Sequence, residues 1–285
     1  MPESLFADAN SSLEEAEFVI FGVPFDKTSS FRSGSALAPD KIREASYNFE
    51  TYMFEHGEDI ESINYRDLGN LEEFDNVNRM IQGVEEFTGR IVDKDRIPIV
   101  LGGEHSLTAG VVKCFEDIGV VVLDAHLDFR DEYEGEKFNH ACTVRRVSET
   151  VGVDNVVPIG VRSFSKEEKQ DSEETGLRFI SSSELSEETT MQEALEKALN
   201  WIEKDRIYLS LDIDIIDPAF APGVSNPEPF GLAPMEIKKC INYLADKLVG
   251  FDIVEVSPPF DNGNTSALAA RLARETIMAI WKAQT

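Results

Sequence analysis

The sequence predicts a three-layer α-β-α fold around a mostly parallel sheet, and three observations carry that prediction. Short runs rich in Val and Ile recur along the chain and are apolar at nearly every position, as strands covered on both faces should be. Longer segments with helical spacing of apolar residues alternate with them, the pattern of an α/β sheet flanked by helices. No Pro/Gly/Ser-rich linker, internal repeat or low-complexity tract interrupts the 285 residues, so a single domain over 1–285 is expected.

Taken in order, the first strand is Phe18–Phe21, followed by a helix over Pro39–Tyr47. Pro39 suits a first helical turn, where its missing N–H would have had no partner anyway. A helix over Asp75–Lys94 comes next, and the Met and aromatic positions within Phe74–Phe87 read as its packing face rather than as a cofactor box. Strand Ile97–Leu101, helix Leu107–Glu116 and strand Val120–Asp124 follow, then strands at Val156–Ile159 and Arg178–Ile180. The remainder reads as helix Met191–Lys204, strand Ile207–Leu211, helix Pro234–Leu248 with Pro234 again in a first turn, strand Phe251–Val254 and helix Thr265–Lys282.

The charge narrows the partners. Lys and Arg total 27 against 54 Asp and Glu, a formal net charge of −27 spread along the chain. Nucleic acid and anionic membrane surfaces are excluded by plain repulsion. Acidity of this extent reads as a halophilic surface, since concentrated salt screens the self-repulsion within a few Å. The start, M-P-E-S-L-F-A-D-A-N, has neither the basic end nor the apolar run of a signal peptide, and no segment approaches the ~18 apolar residues of a membrane span. Cys114, Cys142 and Cys240 lack CxxC spacing and read as reduced thiols of a cytoplasmic protein.

Chemistry-bearing groups cluster where strands end, the edge at which α/β sheets bind ligands. In I-P-I-V-L-G-G-E-H-S (97–106) Gly102 and Gly103 are expected to let the backbone turn before His105. In V-V-L-D-A-H-L-D (121–128) and Y-L-S-L-D-I-D-I-I-D-P (208–218), residues two apart on extended chain would point the same way. Asp124, His126 and Asp128 would share one face, and Asp212 and Asp214 another. Alone, a His after Gly-Gly is an ordinary hydrogen-bonded loop residue and a D-x-D is an ordinary solvated turn. Together they place four carboxylates in one small volume. At about 4 Å and an effective dielectric near 20, each like-charged pair costs roughly 4 kcal/mol. A domain with a net stability of roughly 5–15 kcal/mol cannot carry several such pairs. Either the acids hold protons or cations sit among them. Six ligands suit two divalent ions with shared carboxylates, and oxygen-rich sites with some imidazole and no thiolate suit Mn²⁺. Such a pair can hold a bridging hydroxide at neutral pH, the nucleophile of a hydrolase.

S-L-D-I-D-I-I-D-P-A-F-A-P-G-V-S-N-P-E-P-F-G (210–231) resembles the long signature of the ureohydrolase family, the arginases and agmatinases. G-G-E-H-S, D-A-H-L-D, V-E-V-S-P-P-F-D (254–261) and R-S-G-S-A-L-A-P-D-K-I-R (32–43) are similar to its other blocks in the same order, and the V-E-V-S-P-P and A-F-A-P-G forms look more like agmatinases. The resemblance implies an arginase-like, roughly eight-stranded sheet and two Mn²⁺ per subunit. His105, Asp124, Asp128 and Asp212 would hold one ion, and Asp124, His126, Asp212 and Asp214 the other. His140 would shuttle a proton, Asp128 would steady the tetrahedral species, and Glu255 would face a small cationic guanidino substrate. A homo-oligomer, trimer or hexamer, is implied as well. Leu127 and Glu104 depart from the family's frequent Thr and Asp, and neither change is expected to disturb the ligands. The implied reaction is agmatine plus water to putrescine plus urea, and acids at Asp131, Glu132, Glu134 and Glu136 would suit a substrate ending in an amine. Aminopropylagmatine, guanidinobutyrate, arginine and formimino-glutamate stay open as substrates. So do a two-metal phosphoester hydrolase, for which the motif loops offer few cations besides Arg130 and Arg162, and a catalytically silent binding protein. Four further features receive ordinary readings: an Arg130–Asp131 ion pair at the mouth, Arg145 and Arg146 as surface or subunit-contact residues, Asp217 fixing a turn, and His56 on the surface.

Overall fold

In the computed structural model, residues 5–187 and 189–285 are described. The strands are β1 (Phe18–Val23), β2 (Tyr52–Met53), β3 (Glu58–Asp59), β4 (Tyr65–Asn70), β5 (Ile97–Gly102), β6 (Gly119–Leu123), β7 (Val156–Val161), β8 (Ile180–Ser181), β9 (Ile207–Asp212) and β10 (Leu248–Val254). The α-helices are α1 (Ala38–Ser46), α2 (Val77–Val92), α3 (Thr108–Val111), α4 (Thr143–Val151), α5 (Lys166–Thr175), α6 (Ser182–Glu187), α7 (Met191–Ile202), α8 (Pro234–Leu244) and α9 (Asn264–Gln284). Eight strands make one sheet in the order β4-β1-β5-β10-β9-β6-β7-β8, and every neighbouring pair runs parallel. β2 and β3 form a small separate hairpin.

The apolar runs are continuous because the sheet is covered twice. In β1, Phe18 and Ile20 enter the core shared with α1, α7, α8 and α9, while Val19, Phe21 and Val23 enter the core shared with α2, α3 and α4. Side chains alternate with period 2, so a strand between two helical layers needs apolar residues at both phases. Six of the seven strands expected from sequence are present, and the seventh, expected over Arg178–Ile180, begins only at Ile180. The eighth, β4, escaped because half its positions are polar: Tyr-Arg-Asp-Leu-Gly-Asn is an edge strand. Its Asp67 is buried and accepts from Arg43 Nε of α1 at 2.7 Å, which ties the sheet edge to that helix.

Helix ends follow local capping. α2 begins at Val77 because the Asn76 side chain accepts from Arg79 N, and α7 begins at Met191 behind a Thr190–Glu193 capping box. The helix expected over Leu107–Glu116 is broken instead into a 3₁₀ turn, the short α3 and a second 3₁₀ turn ending at Cys114. α5 carries no apolar period, Lys-Glu-Glu-Lys-Gln-Asp-Ser-Glu-Glu-Thr, and owes its start to the Ser165–Glu168 capping box. No helix among the described residues is long and apolar enough to cross a membrane.

Candidate metal centre

The four central strands, β5, β10, β9 and β6, lie side by side, and each ends in residues singled out from sequence. β5 and β6 lead into helices on one face of the sheet, β9 and β10 into helices on the other. Chains that leave in opposite directions open a crevice at the carboxyl edge. A cavity of about 440 Å³ occupies it, lined by His126, Asp128, His140, Asp212, Asp214 and Glu255 among others.

All six proposed ligand residues converge there. His105 Nδ1 lies 3.1 Å from Asp124 Oδ2, 3.4 Å from Asp128 Oδ2 and 3.5 Å from Asp212 Oδ2. His126 Nδ1 lies 2.9 Å from Asp214 Oδ2 and 3.6 Å from Asp124 Oδ1. Asp124 thus offers one oxygen to each imidazole. Two groups, His105–Asp124–Asp128 and Asp124–His126–Asp214, have ligand atoms within 4.8 Å of one another and could hold a metal ion. His105 Nδ1 and Asp124 Oδ2 are buried and hydrogen-bonded to nothing, although they face each other. Buried polar atoms are rarely left so. Imidazole and carboxylate atoms aimed at a common point are a cation's ligand set, and the residues fit one.

The route to this geometry differs from the expected one. β6 stops at Leu123, and Asp128 turns to φ 48°, so the three residues do not share a face by staying extended. Beyond Asp212 the chain winds into a 3₁₀ turn over Ile213–Ile215, in which Asp214 N donates to Asp212 Oδ1. Gly102 and Gly103 have no positive φ; they are needed for space. A Cβ on Gly103 would stand 2.0 Å from the Phe25 carbonyl oxygen, and one on Gly102 would stand 2.6 Å from Leu107 and Val254. Leu127, between the ligands, is fully buried in the core that includes α2, α3 and α4.

The cluster is short of positive charge. Burial, with Asp124 adding to it, pushes the Asp128 carboxyl up to about 7. Asp212 rises well above the carboxylate range through burial and through Asp214 and Asp124. Burial would raise Asp124 too, but His105 and His126 prevail and hold it below its ordinary value. Burial would lower both imidazoles, yet the facing aspartates hold His105 and His126 well above theirs. A bound cation would offset the same carboxylate charge that these protons offset.

His140 and Glu255 border the same cavity. Burial, reinforced by His126, lowers His140 to about 4, so its ring is neutral at pH 7. Thr28 Oγ1 lies 3.3 Å from Nδ1 and Ser30 Oγ 3.4 Å from Nε2. Glu255 takes φ 64°, a strained value for a Glu, and its Oε1 accepts from His105 N at 2.7 Å. Its Oε2 is buried with no hydrogen bond, and burial raises the carboxyl to about 8.

Several ordinary readings need correction. Arg130 pairs with Glu168 at 3.2 Å and not with Asp131, which binds Arg146 at 2.7 Å. Arg146 is buried rather than exposed, and the Arg145 guanidinium stacks over Phe129. His56 is only 12% exposed and binds the buried Glu275 at 2.7 Å, so it is no surface residue. Asp131, Glu132, Glu134 and Glu136 all face solvent, and of that loop between Asp128 and His140 it is Arg130 and Tyr133 that line the cavity. The acid that sequence reasoning missed at the mouth is Glu228, which accepts from Ser163 Oγ and lies 3.8 Å from His126 Nε2. Glu104 was passed over as a neutral replacement, yet it is fully buried and binds Thr28 N and Oγ1, each at 2.7 Å. An acid between Gly-Gly and His was the available signal. Asp217 does fix its turn, accepting from Ala219 N and Gly231 N. The phosphoester reading loses its cations: Arg162 donates to five backbone carbonyls, of Gly160, Asp214, Ile215, Glu228 and Pro229, and Arg130 is held by Glu168.

Comparison with known proteins identifies the family. Residues 16–279 match the model of the arginase family. Agmatinase of Bacillus anthracis is 34% identical over 283 residues, covering 96% of this chain and 95% of that protein. N(1)-aminopropylagmatine ureohydrolase of Thermococcus kodakarensis is 35% identical over 276 residues, covering 94% and 92%. The crystal structure of agmatine ureohydrolase of Thermoplasma volcanium superposes with a TM-score of 0.93 at 44% identity, covering 99% of this chain and 96% of that one. The chain belongs to the arginase family.

Proposed function

We propose that this arginase-family chain, an agmatinase-like ureohydrolase, is a manganese-dependent agmatinase that converts agmatine and water to putrescine and urea. The observation that carries the reading is the unbonded, buried Oε2 of Glu255 in the same cavity as the two imidazole–carboxylate groups. His105, Asp124, Asp128 and Asp212 would hold one Mn²⁺, and Asp124, His126, Asp212 and Asp214 the other. When bound, two such ions offset the carboxylate charge and make water a usable nucleophile at neutral pH. A guanidinium is planar and cationic, so a carboxylate at Glu255 orients it by charge-assisted hydrogen bonds. Asp128 borders the cavity and accepts hydrogen bonds from the nitrogens as the carbon turns tetrahedral. His140, neutral in the resting site, takes up the proton that the attacking water gives up and passes it to the departing amine.

Glu228 at the mouth supports a substrate whose far end is an amine. The names of the two relatives support agmatine or its aminopropyl derivative. The family resemblance supports a homo-oligomer, trimer or hexamer. The net charge of −27 supports a halophilic setting, and free cysteines a cytoplasmic one.

The test is to offer the Mn²⁺-loaded chain agmatine, aminopropylagmatine, guanidinobutyrate, arginine and formimino-glutamate, and to measure urea or formamide. Agmatine is expected to give the highest kcat/KM. Preference for arginine would reject the substrate and leave the chemistry standing, whereas metal binding with no product from any compound would leave a silent binding protein.

A further inference from the structure

One carboxylate beside the cluster has no part in the reaction above. Asp252 stands in the middle of β10, fully buried, in the otherwise apolar run Phe251-Asp252-Ile253-Val254. A charge in the centre of a sheet is tolerated only when hydrogen bonds replace its water. Three hydroxyls do so. Tyr208 OH and Thr108 Oγ1 donate to Oδ2 at 2.7 and 2.9 Å, and Ser210 Oγ donates to Oδ1 at 2.6 Å.

Each hydroxyl has a single proton, and an ionised Asp252 takes all three. Ser210 therefore has only lone pairs for its other neighbour, His105 Nε2, at 3.0 Å. Thr108 Oγ1, 3.2 Å from Ser210 Oγ, does not alter the count, because its proton already lies on Asp252. The proton in the His105–Ser210 contact must come from Nε2. A neutral imidazole keeps one N–H, so when an ion takes the place of the ring's second proton the N–H that stays is on Nε2, and Nδ1, facing Asp124, Asp128 and Asp212, offers its lone pair.

We propose that Asp252, acting through Ser210, fixes the tautomer of His105 and so presents Nδ1 to the metal; both are positioning residues, and the proposal rests on the metal-dependent reading above. Without that carboxylate, Ser210 is free to turn its proton toward Nε2. The remaining ring proton would then sit on Nδ1, where a ligand needs a lone pair. Strand β10 thus serves the site twice, with Glu255 beyond its end and Asp252 within it.

The experiment is Mn²⁺ binding to the full chain, counted by the EPR signal of free Mn²⁺, with circular dichroism confirming that each variant is folded. Asp252→Ala and Ser210→Ala are each expected to weaken one of the two ions by about ten- to a hundredfold, the usual cost of losing a partner that orients a ligand. The other ion, beside His126, should keep its affinity. Saturating Mn²⁺ should restore kcat with KM for agmatine unchanged. Tyr208→Phe removes a donor to Asp252 but leaves the Ser210 proton where it was, so both ions should bind as in wild type. Equal weakening of both ions, or the same loss in Tyr208→Phe, would mean a general structural role and overturn the proposal. Wild type binding two ions while Ser210→Ala and Asp252→Ala bind both as tightly overturns it alone. Wild type binding no Mn²⁺ overturns the metal reading, and this proposal with it.

Discussion

The two halves of the ligand cluster share Asp124 and differ in enclosure. His105 is sealed: its side chain is 1% exposed, and its outer nitrogen rests on Ser210. His126 is open: its side chain is 23% exposed, and its outer nitrogen faces Glu228, itself 36% exposed. A ligand held by buried groups loses little freedom when an ion arrives, while one at the mouth is ordered partly by the ion itself. On the two-ion reading proposed above, the inner half would retain its ion, and the outer half would exchange with solvent and meet the substrate.

The largest expected effect removes the comparison altogether. Asp124 reaches both imidazoles, so Asp124→Asn should cost both ions and at least about a thousandfold in urea release, since on the proposed mechanism the metal pair would supply several kcal/mol of the catalysis. Metal analysis after gel filtration, beside a urea assay, checks this. One ion retained at wild-type affinity would show that Asp124 serves a single half.

A smaller effect sharpens the contrast. His126→Asn should leave one tightly held ion and weaken the other by more than about a hundredfold, a direct ligand costing more than a supporting partner. Graded chelation of wild type should likewise release its two ions in separate steps. Simultaneous release would mean that exposure does not distinguish the halves.

Enclosure also separates what was readable in the sequence from what was not. His105, the Asp124–Asp128 segment and Asp212–Asp214 were legible because polar groups follow apolar strands at once, and the resemblance located His140 and Glu255. Their local geometry was not legible: the left-handed turn at Asp128 and the 3₁₀ turn after Asp212 bring together groups that were expected to align on extended chain. Asp252 was not singled out, because its partners Thr108, Ser210 and Tyr208 come from β9 and α3 and meet it only in the fold. Arg130 and Asp131 were paired by adjacency, but each found a partner many residues away. β4 and α5 lacked apolar periodicity, since one is an edge strand and the other a nearly bare surface helix.

The smallest effect concerns protons in the chain stripped of metal. Asp128 and Glu104 sit at about 7 and Glu255 at about 8, all through burial first, and Asp212 is raised as well. In the unfolded chain such acids titrate near 4. A raised acid contributes stability that is complete below its unfolded value and lost as pH rises through its folded one. His105 and His126, also raised, lose theirs in the same direction. His140 opposes them: folded at about 4 against about 6.5 unfolded, it costs stability only as pH falls through that interval. Asp124, lowered, matters only below the carboxylate range. The sum predicts that the metal-free Tm falls between pH 5 and 8.5, at about 2–4 °C for each kcal/mol lost. Mn²⁺ should raise Tm more at pH 8.5 than at pH 5, because protons compete for the same carboxylates. The acidic surface also repels itself more as pH rises, so the melts belong in molar KCl, where that repulsion is screened. The difference between metal-loaded and metal-free samples then isolates the cluster. If Mn²⁺ stabilises equally at both pH values, the acids are not holding protons in the metal-free chain, and burial does not set the charge state of the inner half.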